Sequence, residues 1–144
     1  MATTERQRHL QRALVSSHRG ASAVEFALVA PLFLLMLLGI LGYGGYFWRA
    51  HALQQVANDA ARAAIAGLTA PERADLARAT VAAEIGRLAG LAPARAITTV
   101  AESNDAILVT VAYDARQDIF FHLPLVPMPA PLIERIAAVR LGGF

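Results

Sequence analysis

The chain has no cysteine and, among its thirteen cationic side chains, no lysine. Without cysteine there is no disulfide framework, no thiolate metal site and no thiol nucleophile. The exclusive use of arginine reads as base-composition bias toward GC-rich codons. Charge is scarce as well, at 17% of residues against 56% hydrophobic, a richer apolar content than ordinary soluble domains carry. A pI of 9.7 suggests nucleic acid, but the formal net charge is only +2 and the arginines are scattered. No basic stripe with interleaved aromatics appears, so no nucleic-acid partner is expected. Phosphate-loop chemistry is also missing, because the glycines from Gly39 to Gly45 lie inside an apolar run instead of following a strand.

The longest absence is of charge itself. From Phe26 to Trp48 there are 23 residues without one. As a helix this run extends about 34 Å, enough for a hydrocarbon core of about 30 Å. Its middle is Leu, Met, Val and Ile, and Tyr43, Tyr46, Phe47 and Trp48 gather at its far end, as an aromatic belt does at a lipid–water boundary. Arg49 and His51 then mark the return to water. Four arginines (Arg6, Arg8, Arg12, Arg19) against one acid, Glu5, precede the run. The N-terminal flank is therefore expected to stay in the cytoplasm and the C-terminal domain to lie outside.

Three parts follow. Residues 1–20 read as a basic leader without a stable fold, 21–67 as a transmembrane helix with an amphipathic extension, and 68–144 as a small α+β domain. Pro31 is expected to kink the helix. Gly39, Gly42, Gly44 and Gly45 thin its outer half, where close helix packing in lipid is one reading and ordinary glycine usage the other. Beyond the run, Leu53, Val56, Ala57, Ala60, Ala64 and Ile65 recur at helical spacing, and Gly67 is a stop. Thr69, Pro71 and Glu72 open a second helix with Leu76, Val81, Ile85 and Leu88 on one stripe, ended by Gly90 and Pro93. Ala96–Glu102 and Ile107–Tyr113 alternate as a β-hairpin around Ser103-Asn104-Asp105, with Ile107, Val109, Val111 and Tyr113 facing the helices. Residues 115–131 read as an extended loop, in which Pro124, Pro127, Pro129 and Pro131 forbid a helix or a central strand. Residues 133–141 can be strand or helix, with a third strand preferred.

Gly20 and Glu25, directly upstream of the apolar run, carry the strongest signal. A peptidase cutting after Gly20 would remove the leader and expose Ala21 as a new α-amino group. Glycine suits such a site because a residue without Cβ lets the backbone enter a tight cleft. Glu25, near the start of the mature helix, is favoured by the helix dipole. Within a bundle of sister subunits its charge needs a partner, and a neighbouring α-amino group, with a pKa near 7.7–8.0, can serve. The plain reading is a linker glycine and an acid at a helix start. A rival cut site is Ala50-His51-Ala52, of the small-x-small form, although the apolar run is longer than a signal peptide's. His51 and His122 lack companions at ligand spacing, and Asp114, Asp118 and Glu134 read as solvated acids. Ser16, Ser17, Ser22 and Ser103 have no placed base. The expectation is no enzyme, no metal, no cofactor and no small-molecule substrate.

The stretch Gly20-Ala-Ser-Ala-Val-Glu25-Phe-Ala-Leu-Val-Ala-Pro31-Leu-Phe-Leu-Leu resembles the N-terminal signature of TadE-like pilus proteins of the tight-adherence (Flp) system. The likeness runs from Arg19 to about Arg62 and thins to a general α+β likeness beyond. It implies a pseudopilin or minor pilin, cleaved by a prepilin peptidase between Gly20 and Ala21, with Glu25 needed for processing or assembly. Such a protein sits in the bacterial inner membrane as a single span with a periplasmic domain. Its partners are other pilin subunits and the assembly machinery of an adhesive pilus. Similar proteins usually show an acid where Gly42 stands and a basic residue where Gly45 stands, so a second charge pairing at that end is not expected. Two alternatives remain: an uncleaved anchor presenting a small binding domain, and a pseudopilin of a related secretion system.

Overall fold

The computed structural model describes residues 17–103, 105–122 and 126–141. The leader arginines Arg6, Arg8 and Arg12, the turn residue Asn104 and Pro124 lie outside these residues. The chain forms two compact units, one ending at Ile40 and one spanning Leu41–Phe144.

The first helix, α1, is Ser17–Ala64, 48 residues long. Ser17–Gly20 are helical, so the expectation of an unstructured leader is corrected for its last four residues. Once an apolar segment has nucleated a helix, each added residue gains a hydrogen bond at little further cost. Within the first unit nearly every side chain of α1 from Gly20 onward is exposed, Phe26 and Leu28 at 73% and 75%. The helix runs unbroken through Pro31, whose ring lacks the N–H that would bond the carbonyl of Ala27.

The second unit is a core between helices and one sheet. From Ala50 onward α1 buries Leu53, Val56, Ala57, Ala60, Ala61 and Ala64, the three- and four-residue spacing of one helix face. Four of these six are alanine, so the helix backbone itself lies close to its neighbours. Ile65 follows the last helical residue and is 47% exposed, outside the expected stripe. A second helix, α2, is Ala70–Arg87 and buries Ala77, Val81 and Ile85. Strands β1 (Ala96–Ser103), β2 (Ala106–Asp114) and β3 (Leu132–Arg140) form an antiparallel sheet in the order β1-β2-β3. As expected, Ile107, Val109, Val111 and Tyr113 of the central strand all point into the core.

Residues 132–140 are a strand because β2 pairs with them along their whole length, from Asp114↔Leu132 to Ala106↔Arg140. Ile133 and Ala137 face the core. Arg135 shares their side and sends its Nε to the Ala50 carbonyl of α1, 3.2 Å away, which is how a cation fits an inward position. The hairpin register closes at Ser103↔Ala106. Asp105 there has φ 58°, a left-handed conformation that Asp tolerates in two-residue hairpin turns.

Local chemistry sets the ends of both helices. α1 finishes with tight bonds from Ile65, Ala66 and Gly67 N–H to the carbonyls three residues earlier. The role of Gly67 is steric: a Cβ there would lie 2.7 Å from the Arg73 backbone nitrogen. Thr69 caps α2 by accepting from the Glu72 N–H at 3.4 Å, and Glu72 accepts from the Leu68 N–H at 2.9 Å, a near form of the capping box. Between β2 and β3 the chain is not wholly extended, since Ile119–His122 make a 3-10 turn ahead of the prolines. The Ala115 N–H closes this loop on the Pro131 carbonyl at 2.9 Å.

Arg73 grips Glu102 of β1 with two nitrogens, at 2.7 and 3.1 Å, and the hydrogen bond holds the carboxyl below its ordinary value. A carboxyl depressed in the folded state stabilises above its unfolded value of 4.5 and loses that contribution as pH falls. Asp114, held at about 2 chiefly by hydrogen bonds from Arg116, behaves alike, but partners two residues apart stay near each other on unfolding. Two predictions follow from these contacts. Gly67→Ala, which forces α2 away from the end of α1, should cost about 1–3 kcal/mol in urea unfolding of the detergent-solubilised protein. Glu102→Gln should lower the unfolding midpoint at about pH 6 and match the parent near pH 2, whereas a constant offset would deny the ion pair its part.

Candidate functional site

Gly20, Ala21 and Glu25 lie on α1, all exposed. A Cβ added at Gly20 would meet nothing within 4 Å beyond its own helix and chain neighbours. Among the described residues Glu25 has no ion partner. An unpaired carboxylate one residue before a run of 23 uncharged residues is tolerable at a membrane surface and costly within hydrocarbon. α1 is the one helix among the described residues long and apolar enough to cross a membrane, and no part of its apolar window is packed inside the protein. A soluble protein does not leave that much apolar surface to water.

At the far end of the run the glycines divide. Gly39 and Gly44 have open space beside them, so they remain free for a close neighbour. Gly42 is buried. At Gly45 a Cβ would fall 2.9 Å from the Phe120 ring. The Phe120 ring thus fills the space that a side chain at position 45 would need, which accounts for glycine there.

The main departure from the sequence reading is a buried ion cluster. Asp118, expected in solvent, is 6% exposed, and Arg49, expected to meet water, is 8% exposed. Arg49 Nε lies 2.6 Å from Asp118 Oδ2. Neither atom has an aligned hydrogen-bond partner, so this contact is held by charge more than by direction. Arg95 Nη1 donates to Asp118 Oδ1 at 2.9 Å with proper geometry. The Arg49 guanidinium also lies 5.1 Å from the Phe120 ring centre and 5.9 Å from that of Trp48, distances at which a ring face attracts a cation. Arg95 stands 5.5 Å from the ring centre of Tyr113, whose hydroxyl accepts the Ala92 N–H at 3.2 Å.

α1, the segment before β1 and the β2–β3 loop are thus tied at one carboxylate. Sequence reasoning missed it, although two signs were present: Arg49 adjoins the apolar run, and Asp118 is the last charge before fifteen residues that carry none. The histidines do not join in. His51 is exposed, His122 Nδ1 lies 3.0 Å from the Asp118 carbonyl, and no group of three metal-ligating side chains occurs among the described residues. Asp114 pairs with Arg116 at 2.6 Å. Asp118→Ala should cost about 3–5 kcal/mol, because it leaves a buried guanidinium without a counter-charge. Arg95→Ala, which removes the more exposed partner, should cost about 1 kcal/mol. Equal losses in thermal unfolding of the two variants would contradict this ranking.

A family model described as TadE-like protein aligns with residues 20–62. No curated protein and no solved structure matches the chain. The aligned segment begins at Gly20, takes in Glu25, Pro31 and the whole uncharged run, and ends at Arg62, within the part of α1 that packs on the core. Over residues 20–62 the chain is thus similar to the TadE-like family.

Proposed function

We propose that the protein is a minor pilin, or pseudopilin, taking part in assembly of a tight-adherence pilus, with a structural and non-enzymatic role. A prepilin peptidase cleaves between Gly20 and Ala21, leaving a single-span protein of the bacterial inner membrane with its C-terminal domain in the periplasm. The observation that carries this reading is the exposed, unpaired Glu25, five residues after Gly20 and at the mouth of an uncharged run, inside the family match. In the assembled state the Glu25 carboxylate meets the α-amino group of Ala21 in a neighbouring subunit, which sets the register of packing.

Gly20 lies inside α1, so cleavage requires the first turn to open. Glycine assists, since it weakens a helix by roughly 1 kcal/mol relative to alanine. The rival site is less accessible, because a cut after Ala52 would sever α1 between Ala50 and Leu53, both buried in the core. That arrangement supports processing at the N-terminal end of the apolar run.

Gly20→Val should block maturation, so that the protein from membranes of the host migrates with its leader attached and pili are lost. Glu25→Gln should be matured, or nearly so, but fail to enter pili. If Gly20→Val left both gel mobility and piliation unchanged, the pilin reading would fail and an uncleaved anchor would replace it.

A further inference from the structure

We propose that the described parts of the loop between β2 and β3, Ile119–His122 and residues 126–131, form a second membrane-contacting element, resting in the lipid–water boundary at the C-terminal end of the apolar run. Three contacts hold this loop on α1. The Tyr43 hydroxyl donates to the Pro127 carbonyl at 2.5 Å, the Phe120 ring covers Gly45, and the Phe121 ring meets Tyr46 edge-on with centres 6.3 Å apart. All three helix residues precede Arg49, the first charge after the run. At 1.5 Å per residue, Tyr43 lies about 9 Å to the apolar side of Arg49 along the helix axis. A loop fastened at Tyr43 is therefore carried to the depth of the aromatic belt wherever α1 spans a bilayer.

The loop is composed for that depth. Between Asp118 and Glu134 there is no charged residue, and His122 is the sole titratable side chain. Four of the residues in this stretch before Leu132 are proline. Proline has no N–H, so each removes a donor that would otherwise require water or a partner. Irregular backbone is not tolerated in the hydrocarbon core, which confines such a loop to the headgroup boundary. Ile119 projects from it, 75% exposed, and Phe47 and Trp48 of α1 are exposed as well.

The ion cluster supplies a separate argument. Arg49 and Asp118 are both withdrawn from the surface and paired, and the loop's exposed charge, Arg116 at its start, is tied to Asp114. From Ile119 to Ile133 the chain carries no charge of its own. A phospholipid bilayer is the partner that fits: it is already contiguous with α1 at Tyr43 and rewards burial of Ile119 without asking for a matching charge.

This inference rests on α1 spanning the membrane, and the test separates the two. The natural absence of cysteine permits single nitroxide labels on the full chain, at Ile119→Cys, at Leu34→Cys in mid-run, and at Thr99→Cys on the exposed face of the sheet. In vesicles of phosphatidylcholine and phosphatidylglycerol, the labels at Leu34 and Ile119 should be relaxed more by oxygen than by a water-soluble nickel chelate, with Ile119 the shallower. Thr99 should show the reverse order. If Leu34 is in lipid and Ile119 behaves like Thr99, the loop is in water and the inference is overturned while spanning survives. If the oxygen preference at Ile119 vanishes as protein is diluted with lipid, a second copy covers the loop and the inference is likewise overturned. A water-exposed Leu34 overturns both. Ile119 is already exposed, so its replacement leaves the core intact.

Discussion

One continuous helix has to satisfy two solvents. Up to Trp48 it needs an apolar surface all round, and from Ala50 it needs a single apolar face against a sheet. Arg49 stands at the change. Its cation cannot remain bare beside a long apolar run, and water is not its partner here. Asp118 neutralises it, and Arg95 occupies the other carboxylate oxygen. Because Asp118 comes from the β2–β3 loop and Arg95 from the turn before β1, neutralising this one charge also decides where two connecting segments lie.

The rest of the second unit follows from close approach. Alanines on α1 let its backbone near the sheet, glycine at position 67 lets α2 begin directly beside the end of α1, and glycine at position 45 admits the Phe120 ring. Each is a place where a larger residue would hold two elements apart. The family match ends at residue 62, within the part of α1 whose alanines pack on the sheet. The matched segment therefore comprises the stretch from Gly20 to Glu25, the uncharged run and the first wall of a domain.

Much of this was legible in the residues. The uncharged run, the two-fold change of period at Ala96, the Thr69 cap and the inward row Ile107, Val109, Val111 and Tyr113 are local signals, and local signals carry the helices and the hairpin. The third strand was harder because Arg135 interrupts its inward side. What admits Arg135 is the Ala50 carbonyl on another element, and no pattern within the strand announces that. Asp118 was misjudged for the same reason, since an acid in a loop is normally solvated and the cations that bury it lie 69 and 23 residues away in the chain. The candidate site was legible at Gly20 and Glu25 because its signal is sequential. The steric cause of glycine at position 45 was not, because it depends on a ring brought from position 120.

The central claim is that Gly20 is where the leader ends and that the exposed Glu25 belongs to a mature N-terminus. N-terminal sequencing of the protein purified from membranes of its own host tests it most directly. The account predicts a first residue at Ala21, reading Ala-Ser-Ala-Val-Glu. A start at Met1 would make the protein an uncleaved anchor, and a start at Leu53 would make it a secreted domain; either result contradicts the account.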